Sequence, residues 1–428
     1  MAGSYFPRWR ERTDGVAAGV IAPDERLPWP QMGAMGLQHV VAMFGSTVLA
    51  PLLMGFDPNL AIFMSGIGTL LFFVIVGGRV PSYLGSSFAF IGLVIAVSGY
   101  AGPGLNANIG VALGGIIACG VVYTLIGFLV MAIGTGWIGR YMPPVVPGAV
   151  VAVIGPKLPP IGAKSGTANP SDAWMALATV LCVGAVAVFT RGMVQRLLIL
   201  IGLLLAYVLY AVLTNGAGLG KPIDFSTVAN AAWLGMPSFT SPAFRLDAMA
   251  LIAPVAVILV AENLGHIKAV SAMTGQNLDR YMGRAFVGDG IATVVSGSVG
   301  GTGLTTYAEN IGVMAVTRIY STLVFAIAAC FAILLGFSPK FGAIILTIPT
   351  AVLGGVSIVV FGLIAVSGAR IWVENRVDFS DNRNLIVAAV TLVLGAGDFT
   401  LNIGGFALGG IGTATFGAII LNALLTRK

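Results

Sequence analysis

Long apolar segments alternate with short polar ones along almost the whole chain. The alternation predicts fourteen membrane-crossing segments, several of them too short or too polar to be simple helices. In chain order they cover residues 32–55, 58–78, 82–100, 107–134, 142–162, 172–190, 194–214, 247–271, 281–299, 302–315, 318–338, 341–368, 384–397 and 402–424. Residues 1–31 are polar and lack an apolar stretch, so we expect an N-terminal segment without a cleavable signal peptide.

Composition supports a membrane protein. Apolar residues make up 57% of the 428 residues and charged residues only 9%, against roughly 25% charged residues in soluble domains. The 59 glycines suit closely packed transmembrane helices. The three cysteines lie far apart in apolar segments, which predicts packing residues and no disulfide or metal spacing.

The net charge is +6, and the basic residues are divided among many loops rather than clustered on one segment. This distribution argues against nucleic-acid binding. With the N-terminus inside, the inner segments carry 17 Lys and Arg residues and the outer segments four. This asymmetry predicts that both termini are cytoplasmic and that the number of crossings is even. Lys157 falls within a segment, and we expect it to extend to the membrane interface.

Three short motifs recur in the two halves of the chain in the same order. Residues 66–71 match 290–295, residues 86–90 match 305–309, and residues 148–155 match 355–362. Equivalent segments are seven apart, an odd number, so the second half is predicted to be inverted relative to the first. The sequence therefore predicts an all-α polytopic membrane protein built from two inverted seven-segment repeats, an architecture of many secondary transporters.

Segments three and ten are the least helical of the fourteen. Both contain small hydroxyl residues followed by an aromatic residue, and glycine precedes each motif. We expect a short extended strand followed by a half-helix in each. Two antiparallel strands of this kind would place the free N–H groups of two half-helices at one site near the membrane midplane.

Two glutamates, Glu262 and Glu309, lie inside predicted membrane segments. A carboxylate at that depth is costly unless it is paired, protonated or faces a wet cavity, so the pair predicts handling of a polar solute or a proton. His266 lies four residues after Glu262, on the same helical face. The alternatives are a structural hydrogen-bond cluster and a metal site, although the Glu-x-x-His spacing of di-iron bundles is absent.

Four further residues have both structural and functional interpretations. His39 suits either a backbone hydrogen bond or a role in proton movement. Asp289 is a third intramembrane acid, expected to hold the extended strand by accepting backbone N–H bonds. Phe88 and Tyr307 occupy matched repeat positions, which favours stacking on a solute over a place in the core. No nucleophile elbow, phosphate loop or zinc-protease motif is present, so no catalytic residue is predicted.

Residues 309–318, Glu-Asn-Ile-Gly-Val-Met-Ala-Val-Thr-Arg, resemble the signature of the nucleobase–ascorbate transporter family. That signature has an acid, amide or proline, then Asn-x-Gly, four residues, Thr, and a basic or small residue. Gln38-His39, residues 86–90 and residues 261–266 also fit the family. The likeness covers residues 24 to 425 and is greatest to bacterial uracil and pyrimidine permeases.

The resemblance implies proton-coupled import of a nucleobase across the bacterial inner membrane by alternating access, without a cofactor. It implies a core domain (residues 32–134 and 247–338, segments 1–4 and 8–11) and a gate domain (residues 142–214 and 341–424, segments 5–7 and 12–14), preceded by a cytoplasmic segment, residues 1–31. It further implies a homodimer through the gate domains.

The resemblance also implies roles for individual residues. Glu262 and Glu309 would accept hydrogen bonds from ring N–H groups, and the backbone N–H groups of Phe88 and Ala308 would donate to ring oxygens. Phe88 and Tyr307 would flank the ring, with Ser87 also at the substrate. His266 would couple to Glu262 in the proton cycle, and His39 and Asp289 are further candidates for proton coupling.

Four positions depart from the uracil permease pattern. Ala308 stands where that pattern has Gly, and Asp289 replaces an Asn, adding an acid that could join the proton path. Phe361 replaces a Tyr, and Asn263 replaces a second His. These departures bear on ligand fit and proton route more than on the class of protein.

Other functions remain as alternatives. A xanthine or urate carrier of the same family is the main one, although its signature more often opens with Gln than Glu. An anion transporter of the sulfate or bicarbonate type shares the architecture, but Glu309 would repel an anion. A passive nucleobase channel would not accumulate its solute, and a membrane enzyme would need an activated nucleophile or a metal.

Overall fold

The chain folds mainly into α-helices. The structure is a computed structural model that describes residues 4–12, 19–100, 104–157, 170–403 and 406–426. Its helices are α1 (Trp29–Met54), α2 (Pro58–Ile75), α3 (Ile91–Ser98), α4 (Ile109–Ile133), α5 (Gly136–Tyr141), α6 (Val145–Lys157), α7 (Pro170–Phe189), α8 (Met193–Arg196), α9 (Leu198–Ala211), α10 (Ser226–Asn230), α11 (Leu246–Ile252), α12 (Val255–Thr274), α13 (Met282–Val299), α14 (Ala308–Thr317), α15 (Thr322–Gly336), α16 (Pro339–Leu346), α17 (Thr350–Glu374), α18 (Asn382–Ala396) and α19 (Gly410–Leu425).

Short strands pair in three separate two-stranded sheets. They are β1 (Arg10–Glu11) with β2 (Glu25–Arg26), β3 (Leu84–Ser86) with β4 (Leu304–Thr306), and β5 (Leu401–Ile403) with β6 (Phe406–Leu408). The first pair is parallel and the other two are antiparallel. Only the β3–β4 pair has all of its residues buried.

Seven helices or helix runs among the described residues are long and apolar enough to cross a membrane, or eight if the bent pair α15 and α16 forms one span. Many of their apolar side chains are exposed, such as Phe189 at 84%. An exposed apolar surface on a long helix is suited to contact with lipid. The prediction of a mostly helical membrane protein is confirmed.

Several predicted segments are interrupted. Segment 341–368 is broken between Leu346 and Thr350, where Pro349 precedes α17 and disfavours helical backbone in the residue before it. Segment 247–271 is broken near Pro254, between α11 and α12. Segment 402–424 opens on strand residues, and its helix begins only at Gly410. Apolar runs marked these segments correctly as buried or lipid-facing, but proline and glycine positions decided where the helices start.

Helices pack in two groups. In one, α13 packs against α2 and α4, and α15 packs against α1 and α2; in the other, α17 packs against α6 and α7, and α18 packs against α6 and α19. Glycines allow the closest approaches. A Cβ added at Gly120 of α4 would lie 2.8 Å from the carbonyl oxygen of Gly290 on α13. Small residues of this kind let transmembrane helices approach backbone to backbone.

The β3–β4 pair lies within the first group and aligns Leu84 with Thr306 and Ser86 with Leu304. A threonine fastens each strand to a neighbouring helix. The Leu84 N–H donates to Thr69 Oγ1 of α2 at 2.9 Å, and the Leu304 N–H donates to Thr293 Oγ1 of α13 at 3.1 Å. Each hydroxyl also bonds the carbonyl of the same leucine. The N–H and C=O groups of Leu84 and Leu304 are thereby satisfied by side chains.

Replacing Gly85 with alanine should destabilise the protein. A Cβ at this position would lie 2.4 Å from Tyr307 Cζ and 2.6 Å from Thr47 Oγ1, both held by hydrogen bonds. We expect a loss of about 1–3 kcal/mol, typical of overpacking, seen as a lower midpoint of thermal unfolding in detergent. Gly184→Ala is the control, because nothing lies within 4 Å of its added Cβ. Equal midpoints for the two variants would contradict this account of the strand pair.

Candidate functional site

Two half-helices begin where the paired strands end. After β3, a short 3₁₀ turn (Phe88–Phe90) leads into α3, and after β4 the helix α14 starts at Ala308. The Ser87 hydroxyl accepts the N–H of Ala89 at 3.2 Å. No side chain caps α14, so its first N–H groups have no partner within the helix and give this end a partial positive charge. The start of α14 therefore presents backbone donors beside Glu309.

Glu309 lies in the first turn of α14 and is half-buried. Its carboxylate accepts a hydrogen bond from the Ser46 hydroxyl of α1. A negative charge in the first turn is favoured by the helix dipole. The neighbouring Ala308 is exposed, so the start of this helix faces an accessible space rather than packed side chains.

Glu262 lies on α12 and is also half-buried. It lies on a helix that packs against α14, the helix of Glu309, and two like charges on neighbouring helices disfavour each other. Among the described residues, neither glutamate forms a salt bridge. Two partly exposed acceptors without a cation therefore face the same region as the first turn of α14.

His266 connects the same helix to the central strand pair. Its Nδ1 atom lies 2.8 Å from the Thr306 hydroxyl on β4, one turn of α12 beyond Glu262. Thr306 is buried while the histidine is half-buried. The histidine thus lies one turn after Glu262 on α12 and contacts a buried strand residue.

A buried polar network lies behind Glu262. Asn263 Nδ2 donates to Asp289 Oδ2 at 2.7 Å and to the Tyr123 hydroxyl at 2.9 Å. The backbone N–H of Thr306 also interacts with the Asp289 carboxyl group. These contacts join α4, α12 and α13 to β4, as expected if Asp289 holds the strand.

His39 is fully buried and holds the other side of α14. Asn310 Nδ2 lies 3.0 Å from both His39 Nδ1 and the His39 carbonyl oxygen. The imidazole ring packs on Phe325 with centroids 4.6 Å apart. An amide nitrogen can only donate, so His39 Nδ1 accepts and carries no proton in this arrangement. The contacts favour the structural interpretation of His39 over direct proton exchange.

The two predicted aromatic residues are placed differently. The Tyr307 hydroxyl donates to the Ser86 carbonyl at 2.9 Å and accepts from Thr47 at 3.0 Å, and the side chain is buried. These bonds favour a place in the core for Tyr307. Phe88 is half-buried at the start of the 3₁₀ turn and remains available to contact a solute.

Several residues of this region carried no sequence signal strong enough to single them out. Ser46, Thr47 and Tyr123 are common residue types in otherwise apolar helices, and only their contacts distinguish them. Asn310 could have been identified from the sequence, because it lies within the signature motif at residues 309–318. The side chain of Lys157 lies outside the described residues.

The region offers both acceptors and donors of hydrogen bonds to a solute. Carboxylates at Glu262 and Glu309 accept hydrogen bonds, and free N–H groups of α14 donate them. Within the described ranges, no group of three or more His, Cys, Asp or Glu residues could hold a metal ion.

Comparison with known proteins identifies the family. Residues 30–404 match the sequence model of the Xan_ur_permease family, described as a permease family. The chain belongs to this permease family. It is 70% identical over 428 residues to the putative pyrimidine permease RutG of Escherichia coli (strain K12), covering all of this chain and 97% of RutG. It is 39% identical to the uracil permease of Bacillus subtilis (strain 168), covering 92% of each chain.

Membership of the family makes the chain an integral membrane transporter rather than an enzyme. It confirms the resemblance to bacterial uracil and pyrimidine permeases that the sequence showed. Solved structures show the same fold. The transmembrane domain of a cyanobacterium bicarbonate transporter, BicA, matches with a TM-score of 0.61 at 16% identity, over 92% of this permease and 97% of that chain. SLC26A9 matches with a TM-score of 0.67 at 12% identity, over 93% of this permease and 66% of that chain.

Substitutions at Asp289 should separate holding the strand from moving a proton. Asp289→Leu removes the acceptor of Asn263 and Tyr123, so the permease should lose about 1–3 kcal/mol of stability, measured by thermal unfolding. Asp289→Asn keeps an acceptor oxygen and should lose much less. If Asp289 only holds the strand, Asp289→Asn also keeps the pH profile of transport; a flattened profile with normal stability would place Asp289 in the proton path.

Proposed function

We propose that this permease is a proton-coupled symporter that imports uracil or a related pyrimidine nucleobase by alternating access. The observation that carries the proposal is the packing of α12, which holds Glu262, against α14, whose uncapped first turn holds Glu309. The relatives named as uracil and pyrimidine permeases support the same substrate class.

The chemistry of the pyrimidine ring matches the site. Uracil offers two N–H donors and two carbonyl acceptors on one planar, uncharged ring. Carboxylates at Glu262 and Glu309 suit the donors, and the backbone N–H groups of Phe88 and Ala308 suit the carbonyls. Phe88 is placed to stack on the ring, Ser87 lies beside it, and Tyr307 supports the strand from behind.

Proton coupling follows from the repulsion between the two acids. A neutral ring fits between Glu262 and Glu309 more easily when one of them is protonated, since two adjacent carboxylates disfavour shared ionisation. Release of that proton on the inner side would then accompany release of the solute. We propose that His266, one turn after Glu262 on α12, exchanges the proton with that acid, and that His39 and Asp289 act on the proton cycle through α14 and β4.

The proposed architecture is fourteen segments in two inverted repeats. Thr69 and Thr293 support it, because they stand at matching positions of the repeated motif and make the same contacts to Leu84 and Leu304. The two packing groups support the proposed core domain, residues 32–134 and 247–338, and the proposed gate domain, residues 142–214 and 341–424. We place the protein in the bacterial inner membrane with both termini cytoplasmic, as a homodimer through the gate domains.

A purine carrier of the xanthine or urate type is the second candidate, because the same family model covers this chain. The likeness to anion transporters shows the fold alone. An anion in this site would meet two carboxylates without a cation, which disfavours that function.

Glutamine substitution tests the two acids. Glu309→Gln and Glu262→Gln each replace a charged acceptor with an amide that also donates, so uracil binding should weaken roughly 10- to 100-fold. Binding is measured by scintillation proximity or calorimetry on purified protein. Glu374→Gln is the control, because Glu374 is exposed and pairs only with Arg370 of the same helix. Normal binding by both site variants would remove these residues from the site.

Transport in proteoliposomes tests the coupling and the substrate. Radiolabelled uracil should accumulate only when the outside is more acidic than the inside, and a protonophore should abolish accumulation. Unlabelled thymine should compete more effectively than xanthine if the site is built for pyrimidines. His266→Ala should change the pH profile of uptake more than the affinity for uracil. Uptake that ignores the pH gradient would overturn the symport mechanism.

A further inference from the structure

The N-terminal segment forms a strap, defined here as residues 4–12 and 19–28, across one end of the core helices. The Tyr5 hydroxyl donates to the Val74 carbonyl at the end of α2, at 2.8 Å. Trp9 Nε1 donates to the Thr322 hydroxyl at 2.9 Å, at the start of α15. Ile21 forms a β-bridge with Ile319. The strap is therefore anchored at both ends to the helices beneath it.

A cavity of about 510 Å³ lies between this strap and the helix ends. The polar side chains that line it are Asp24, Arg79, Gln276, Asn277, Arg280 and Tyr281. Its volume falls within the usual range of small-molecule sites. Gly77 and Gly78 have φ angles of +65° and +61°, and this turn carries the chain from α2 to Arg79 at the cavity wall.

Two arginines of the cavity are not neutralised. Nearby cations are paired, namely Arg12 with Glu25, Arg26 with Glu11 and Lys268 with Asp279. Across the described residues, no salt bridge reaches Arg79 or Arg280. Arg79 donates to the Ser4 carbonyl at 2.9 Å, and Arg280 lies over the Tyr281 ring at 4.8 Å. Both guanidinium groups therefore retain free donors.

We propose that this cavity binds a phosphate ester through Arg79 and Arg280. Guanidinium groups bind phosphate oxygens in pairs and keep their charge at every relevant pH. Gln276 and Asn277 supply amide groups for the rest of the ligand, and the Tyr281 ring supplies an aromatic surface. The negative charge of Asp24, which also lines the cavity, repels an anion and lowers its affinity.

Two sources could supply the phosphate ester. One is a soluble nucleotide, and the other is the headgroup of an anionic phospholipid at the membrane surface, where Arg79 and Arg280 flank the ends of α2 and α13. Either ligand would join the strap to those helix ends and so stabilise the folded protein by mass action.

The experiment measures thermal unfolding of the full-length permease in nanodiscs of neutral phosphatidylcholine. Uridine monophosphate, inorganic phosphate, dioctanoyl-phosphatidylglycerol and dioctanoyl-phosphatidylcholine are added separately. We expect uridine monophosphate or dioctanoyl-phosphatidylglycerol, which carry a net negative charge, to raise the unfolding midpoint by several degrees, and the zwitterionic dioctanoyl-phosphatidylcholine to leave it unchanged. A response to uridine monophosphate identifies a soluble nucleotide, and a response to dioctanoyl-phosphatidylglycerol alone identifies a lipid headgroup.

Variants at the cavity complete the test. Arg79→Gln with Arg280→Gln should abolish the response, whereas Arg245→Gln should keep it, because Arg245 pairs with Asp247 elsewhere. Asp24→Asn should strengthen binding severalfold. A gain in binding cannot be caused by misfolding of the variant. Uracil binding is measured in parallel to show that each variant is folded. No response to any phosphate ester, or an equal response in the double variant, would overturn the proposal.

Discussion

The pairing of β3 with β4 is the constraint on which the rest of the site depends. Non-helical backbone inside a membrane protein survives only if every N–H and C=O group finds a partner. Here the strands satisfy each other, and the pairing continues at both ends through Ser87 N–H to Gly303 and Tyr307 N–H to Tyr83. Because the strands cannot shift without losing these bonds, the starting points of the two half-helices are fixed as well.

Polar side chains connect the strand pair and the half-helix α14 to the neighbouring ionisable residues. Thr306 on β4 contacts His266 and Asp289, while Asn310 on α14 contacts His39. Ser46 of α1 holds Glu309 directly. Ser46 and Thr306 are buried, and a buried partner of this kind keeps a partly exposed side chain such as Glu309 or His266 in one geometry. The strap at the far end of the same helices adds a second connection between α2 and α15.

Sequence reasoning was most successful where the physical signal was local. Intramembrane charge made Glu262 and Glu309 conspicuous because an unpaired carboxylate in lipid is costly. The signature at residues 309–318 indicated the family, which the comparisons confirm. Tyr307 shows the limit of such reasoning. Its residue type and repeat position suit a solute contact, yet its hydroxyl bonds Ser86 and Thr47, two partners distant in sequence.

The sequence by itself determined the membrane class, the permease family and the residue types available for binding, because hydropathy, charge and motif are properties of neighbouring residues. Only the tertiary structure decided that Asp289 is held by Asn263, and that Arg79 and Arg280 share a cavity with the N-terminal strap. These pairings join residues from tens to hundreds of positions apart. Their distances follow from how helices pack, and packing depends on the shape of the whole fold rather than on any local pattern.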